Sequence, residues 1–121
     1  MTVVLLSVAG ALGAVSRFAL DGVVRARYAP RFPYGTLLVN VSGSVLLGVL
    51  TGLVLFHGAA GEVRTVLGAG FCGGYTTFST ASVETVRLVQ ERRPLAALGN
   101  AAGTLLLTLL GAAAGLLLTG L

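Results

Sequence analysis

The run GAGFCGGYTTFSTASVE at residues 68–84 decides how this chain folds. A Gly–Gly step is followed by six hydroxyl-bearing residues within the eight positions 75–82, inside an otherwise apolar segment. Glycine and β-branched residues both lower helix propensity, glycine by about 1 kcal/mol relative to alanine. The stretch from Gly73 to Thr77 is therefore a poor helix interior. If the helix opens there, carbonyls lose their partners. At membrane depth such backbone survives only when buried in protein or lining a hydrated cavity. Two readings of the run stand side by side. One is a kink packed tightly against a neighbouring helix; the other is a set of freed carbonyls that coordinate a cation such as Na⁺.

Composition places the run in lipid. The chain has 121 residues, 55% hydrophobic and only 10% charged, with a mean hydropathy of +0.95. A soluble domain of this size buries only roughly two thirds of its unfolded surface, too little to hide so much apolar area. One domain is expected, and it must meet the bilayer. The single cysteine, Cys72, excludes an internal disulfide and a cysteine-based metal cage. Met1 and Thr2 lead straight into apolar residues without a basic segment, so no cleaved leader is expected. The net charge of +4 comes from eight arginines. They flank apolar runs and form no single patch, which argues against nucleic acid and fits cytoplasmic helix ends.

A bilayer core takes about 20 residues of helix, and four such segments are drawn at 2–24, 34–56, 62–88 and 95–120. The connections RARYAPRFP, HGAAGE and QERRP are short and turn-forming, with Pro30, Pro33 and Pro94 at loops or first helical turns. In the second segment Thr36, Asn40, Ser44, Gly48 and Gly52 recur every four residues. The fourth carries Asn100, Thr104 and Thr108 beside Gly99, Gly103, Gly111 and Gly115. Small residues let helices approach closely in lipid, which accounts for most of the glycines. An amide in hydrocarbon needs a partner. Both asparagines lie in N-x-x-G-[S/T], a weak echo of a duplicated helix pair. GAGFCG at 68–73 satisfies a dinucleotide-binding pattern, but that pattern has meaning only after a strand.

The ring edge of Phe78 carries partial positive charge. With the hydroxyls of Thr76, Thr77, Ser79, Thr80 and Ser82 and the Asn40 amide, it forms a donor-rich set without an acidic ring, which favours an anion. Glu84 either pairs with an arginine near the membrane edge or joins the pathway. His57 reads as a solvated loop histidine and Cys72 as a small packing residue.

GALGAVSRF, GTLLVNVSGS and GFCGGYTTFSTASVE together resemble the Fluc, or CrcB, family of small bacterial fluoride channels, over essentially the whole chain. The resemblance implies an all-α membrane protein of four transmembrane helices with the third broken, assembled as an antiparallel dimer in the bacterial plasma membrane. It implies passive, selective F⁻ efflux that lowers cytoplasmic fluoride, no enzymatic activity, and a structural Na⁺ at the dimer centre. That Na⁺ would lie on the backbone carbonyls of Gly73 and Thr76. The fluoride pathway carried over comprises Asn40, Phe78, Thr77, Ser79, Thr80, Glu84, Arg17, Asn100, Thr104 and Thr108.

Two features depart from the family pattern. Ala81 stands where the motif TTFSTF has its second phenylalanine. Arg25, Arg27, Arg31, Arg87, Arg92 and Arg93 fall on the side of the first and third loops, against Arg64 alone on the other. Such a bias sets one insertion orientation, with both termini outside. Together these features favour an oppositely inserted paralogue with a fuller aromatic set as the partner, over an antiparallel homodimer of this chain inserted both ways. The alternatives are a non-conducting subunit of such a pair and a small multidrug exporter. The exporter needs a membrane-embedded glutamate in its first helix, where this chain has only Asp21.

Overall fold

The computed structural model describes residues 1–28 and 32–121; Pro30 and Arg31 of the first loop lie outside them. The described residues are helical apart from short links, without a strand. Helix α1 runs Thr2–Arg27 and α2 Tyr34–His57. Helix α3 covers residues 61–75, α4 is Phe78–Gln90 and α5 is Pro94–Gly120. Helices α1, α2 and α5 are each long and apolar enough to cross a membrane. The chain is a polytopic membrane protein.

Local chemistry sets the ends. Gly58, at φ 67°, takes the left-handed conformation that stops α2, and Ala59 N–H reaches back to the Leu53 carbonyl at 3.0 Å. Pro94 opens α5 in the first turn, where no amide donor is needed. Within α3, Arg64–Cys72 is π-helical, so Gly73 N–H bonds the carbonyl five residues back, on Gly68.

Helix pairs meet through glycine. A Cβ on Gly48 would run into the Ala112 carbonyl, and one on Gly115 into that of Val45, which holds α2 against α5. The same contact joins α1 to α3, where a Cβ on Gly13 would strike the Phe71 carbonyl and one on Gly74 that of Gly10. Backbones therefore touch directly, as packing in lipid favours. Gly99 and Gly103 differ: nothing lies within 4 Å of an added Cβ at either position.

Side-chain bonds order the ends. Thr2 Oγ1 donates to Glu62 Oε1 at 2.6 Å, and His57 Nε2 lies 2.6 Å from the Thr119 carbonyl. The start of α1, the end of α2, the start of α3 and the end of α5 thus share one end of the bundle. The histidine is not a free loop residue: it closes α2 and caps the last turn of α5, whose terminal carbonyls lack helical donors. At the other end Arg25 reaches Glu84 at 3.7 Å and its own helix's Asp21 at 3.0 Å. Large apolar residues such as Phe18, Leu95 and Leu117 stay exposed along α1 and α5, as lipid-facing helices require.

Candidate functional site

The helical ladder stops between Tyr75 and Phe78. Gly73 itself is helical (φ −61°, ψ −40°), whereas Thr76 (φ −82°, ψ 160°) and Thr77 (φ −148°, ψ 123°) are extended. The Gly73-Gly74 pair is therefore not the point of departure, and Gly74 serves instead as a close contact with α1. Thr76 closes α3 by donating both its N–H and its hydroxyl to the Cys72 carbonyl, at 2.9 and 2.8 Å.

The donors that a continuous helix would aim backwards go elsewhere. Thr77 N–H, which would bond the Gly73 carbonyl, bonds Asn40 Oδ1 at 2.8 Å. Thr80 N–H, which would bond the Thr76 carbonyl, bonds Thr77 Oγ1 at 3.2 Å and so caps α4. The α-helical partners of the Gly73 and Thr76 carbonyls are both spent on side chains. Asn40 also donates Nδ2–H to the Thr77 carbonyl at 2.9 Å. On the other flank, Tyr75 and Ser42 share a hydroxyl–hydroxyl bond of 2.9 Å.

Three cavities follow the opened segment. The first, about 350 Å³, is lined by Asn40, Gly73, Thr76, Thr77, Phe78, Thr104 and Thr108, with Cys72 and Ala81 completing the wall. A second of about 210 Å³ contains Arg17, Asp21, Thr36, Thr77 and Thr80. A third of about 330 Å³ has Ser79, Thr80, Glu84, Arg25 and Arg87. Thr77 belongs to the first two and Thr80 to the last two, so a polar line runs from mid-bundle to the arginine-rich end.

Every residue carried over from the family pattern lies on these walls except Asn100. Buried on α5, Asn100 donates to Thr85 Oγ1 at 2.8 Å and contacts the Ala81 carbonyl at 3.5 Å, tying α5 to α4. Phe78 is 87% exposed, its ring projecting beyond this chain's own bundle. Glu84 is mostly covered; Oε2 faces Arg25, while Oε1 is buried without a partner among the described residues. No group of three His, Cys, Asp or Glu side chains stands ready for a metal among the described residues.

Sequence reasoning missed two contributors. Ser42 falls two residues from Asn40, off the four-residue stripe, so periodicity gave no reason to notice it. The π-helical turns of α3 leave no signature beyond the small residues Gly68 and Gly70.

Fold and cavities define a small helical membrane protein in which an extended link, Thr76 and Thr77, borders cavities that carry polar side chains. Residues 4–116 match the family described as CrcB-like protein, Camphor Resistance (CrcB), and the chain belongs to that family. A relative from Leifsonia xyli subsp. xyli, named fluoride-specific ion channel FluC 1, is 52% identical over 100% of this chain and 88% of its own length. One of the same name from Symbiobacterium thermophilum is 48% identical over 98% of this chain and 97% of its own. Fluoride-specific ion channel FluC 2 of Mycobacterium bovis is 46% identical over 88% of this chain and 81% of its own. These relatives are named as ion channels, a non-enzymatic class. Membership leaves the multidrug-exporter reading without support, and Asp21, the acid that reading would need, is held by Arg25.

Proposed function

We propose that this chain forms a fluoride-selective channel that lets F⁻ leave the cytoplasm passively across the plasma membrane. The observation that carries the reading is the polar line through Asn40, Thr77, Thr80 and Glu84 in a bundle otherwise built for lipid. The relatives' names supply the ion. Fluoride is small and strongly hydrated, so several donors must replace its water at once. The Thr80 and Thr104 hydroxyls and the Phe78 ring edge are available as they stand, while the hydroxyls of Thr77 and Thr108, which donate to Thr80 Oγ1 and the Thr104 carbonyl, must turn to reach the ion. Arg17, beside Thr77 and Thr80, adds the positive potential that draws an anion toward the narrow segment.

Two pathways in an antiparallel dimer account for the projecting ring. Phe78 borders a cavity that mixes apolar wall with threonine and asparagine side chains, yet its ring is left largely uncovered by its own chain. In an antiparallel pair it completes the wall of the neighbour's cavity, and the bare faces of Gly99 and Gly103 become room for close approach. The residues also fit a structural Na⁺. Hard cations take oxygen ligands, and the Gly73 and Thr76 carbonyls have had their helical donors diverted. Such an ion supplies a fixed positive charge at the opened span; no transport step passes through it.

A second reading concerns the partner. Ala81 lies on the wall of the cavity that Phe78 borders, where the family motif places a second phenylalanine. We infer that a paralogous subunit inserted the other way supplies the missing ring, and in its limiting form this chain conducts only through that partner's surfaces. Liposomes loaded with fluoride and followed with a fluoride electrode test both readings. Rapid fluoride release with chloride retained, from this chain alone or paired with its paralogue, is the expected result. Silence in every pairing overturns the channel reading.

A further inference from the structure

We propose that Asn40 is a positioning residue for the cation site, an assignment that rests on the sodium reading above. The carboxamide makes both of its bonds to one residue. Oδ1 accepts Thr77 N–H at 2.8 Å, and Nδ2 donates to Thr77 C=O at 2.9 Å. This geometry selects a conformation. In extended backbone, the N–H and C=O of one residue point to the same side, as in the paired residues of an antiparallel ladder. In a helix they point in opposite directions along the axis, out of reach of a single amide. Asn40 therefore acts as a one-residue substitute for a neighbouring strand, and it holds Thr77 where φ is −148° and ψ is 123°.

The consequence falls on Gly73. Were Thr77 helical, its N–H would return to the Gly73 carbonyl; bonded to Asn40, it leaves that oxygen for a cation. Asn40 is 6% exposed, so little water competes for the clamp. The Ser42–Tyr75 hydroxyl pair fixes the opposite flank at 2.9 Å, which leaves Thr76 strung between two anchors on α2. An amide has two N–H donors, and one on Nδ2 remains after the bond to Thr77. The same side chain thus sets the cation site and borders the halide cavity.

The test is the Na⁺ concentration that gives half-maximal thermal stabilisation of the full chain in detergent, with its partner where one is required. N-methylglucamine replaces Na⁺ as the control. Asn40→Leu keeps the volume and removes both bonds; it should raise that concentration by about tenfold or more, as expected when a buried backbone group loses its partner. Tyr75→Phe loosens the other anchor and should raise it by roughly threefold. Asn40→Ala, which removes the same two bonds without adding an apolar branch, decides the matter if the leucine variant does not fold: a raised Na⁺ midpoint supports the assignment and an unchanged one overturns it. Phe78→Ala should slow fluoride release and leave the Na⁺ midpoint where it is. A normal Na⁺ midpoint in Asn40→Leu with slowed flux would make Asn40 a halide donor only and overturn the assignment. A wild-type protein indifferent to Na⁺ would instead overturn the sodium reading itself, which separates the two failures.

Discussion

Phe78 follows directly on the opened segment, yet buries almost none of its ring in its own chain. Removing that ring should therefore leave the bundle intact. On the channel reading, Phe78→Ala lowers initial fluoride release by about tenfold or more, equivalent to about 1.4 kcal/mol in the barrier, while the thermal midpoint of the purified protein stays within a few degrees. A normal rate would remove Phe78 from the pathway. Ala81 makes the opposite prediction. Its side chain faces the cavity of about 350 Å³, which has room for a larger group. Ala81→Phe should raise release from the lone chain, and no gain would mean that the missing ring is not what limits it. The legibility of these residues in the sequence follows their physics. Asn40, Thr77 and Phe78 were readable because a donor in an apolar helix demands a reason. The partners of Asn40 were not, because the sequence does not say that its amide would meet one residue's N–H and C=O together. Asn100 looked equivalent by motif, but tertiary packing turned it toward Thr85.

The helices are held by close backbone approach, and the glycines divide into two kinds. At Gly48 an added methyl meets the Ala112 carbonyl in the neighbouring helix, and neither backbone has freedom to yield. At Gly22 in α1 nothing lies within 4 Å. Gly48→Ala should thus destabilise the purified protein by about 1–3 kcal/mol, the range for overpacking a close contact. Gly22→Ala should be neutral or stabilising by up to about 1 kcal/mol, through helix propensity. Thermal unfolding in detergent measures both; equal midpoints would mean that α2 and α5 do not approach as described. Hydropathy alone marked α1, α2 and α5, because uninterrupted apolar length is a strong signal. The third helix is different. The weak stretch read from the sequence runs from Gly73 to Thr77, and only its last two residues, Thr76 and Thr77, are extended, while the glycines stay helical. Glycine weakens a helix without ending it. The ladder ends where side chains, Asn40 from α2 and Thr77 Oγ1 at the cap, offer the amides better partners.

Charge is the feature that belongs to the molecule as a whole. Arg25, Arg27, Arg87, Arg92 and Arg93 lie at the end of the bundle marked by the Arg25–Glu84 contact. Arg64 lies at the other end, where its Nε–H bonds Thr51 Oγ1 at 3.2 Å. Loop arginines stay cytoplasmic during insertion, so the chain should adopt one orientation with both termini outside. Pairing with an inverted copy of itself would need both orientations in quantity. A carboxy-terminal phosphatase that folds only outside the cytoplasm should be active, and a fluorescent reporter that matures only inside should stay dark. Ala59 and Ala60 lie in the second loop, at the arginine-poor end. Changing both to arginine narrows the bias, and the dark reporter should begin to light. If the paired subunit is an inverted paralogue, the redesigned chain should also release more fluoride when expressed alone, because it now supplies its own inverted copy. Strong signals from both reporters on the unaltered chain would mean that it already inserts both ways, and the need for a paralogue would go with them.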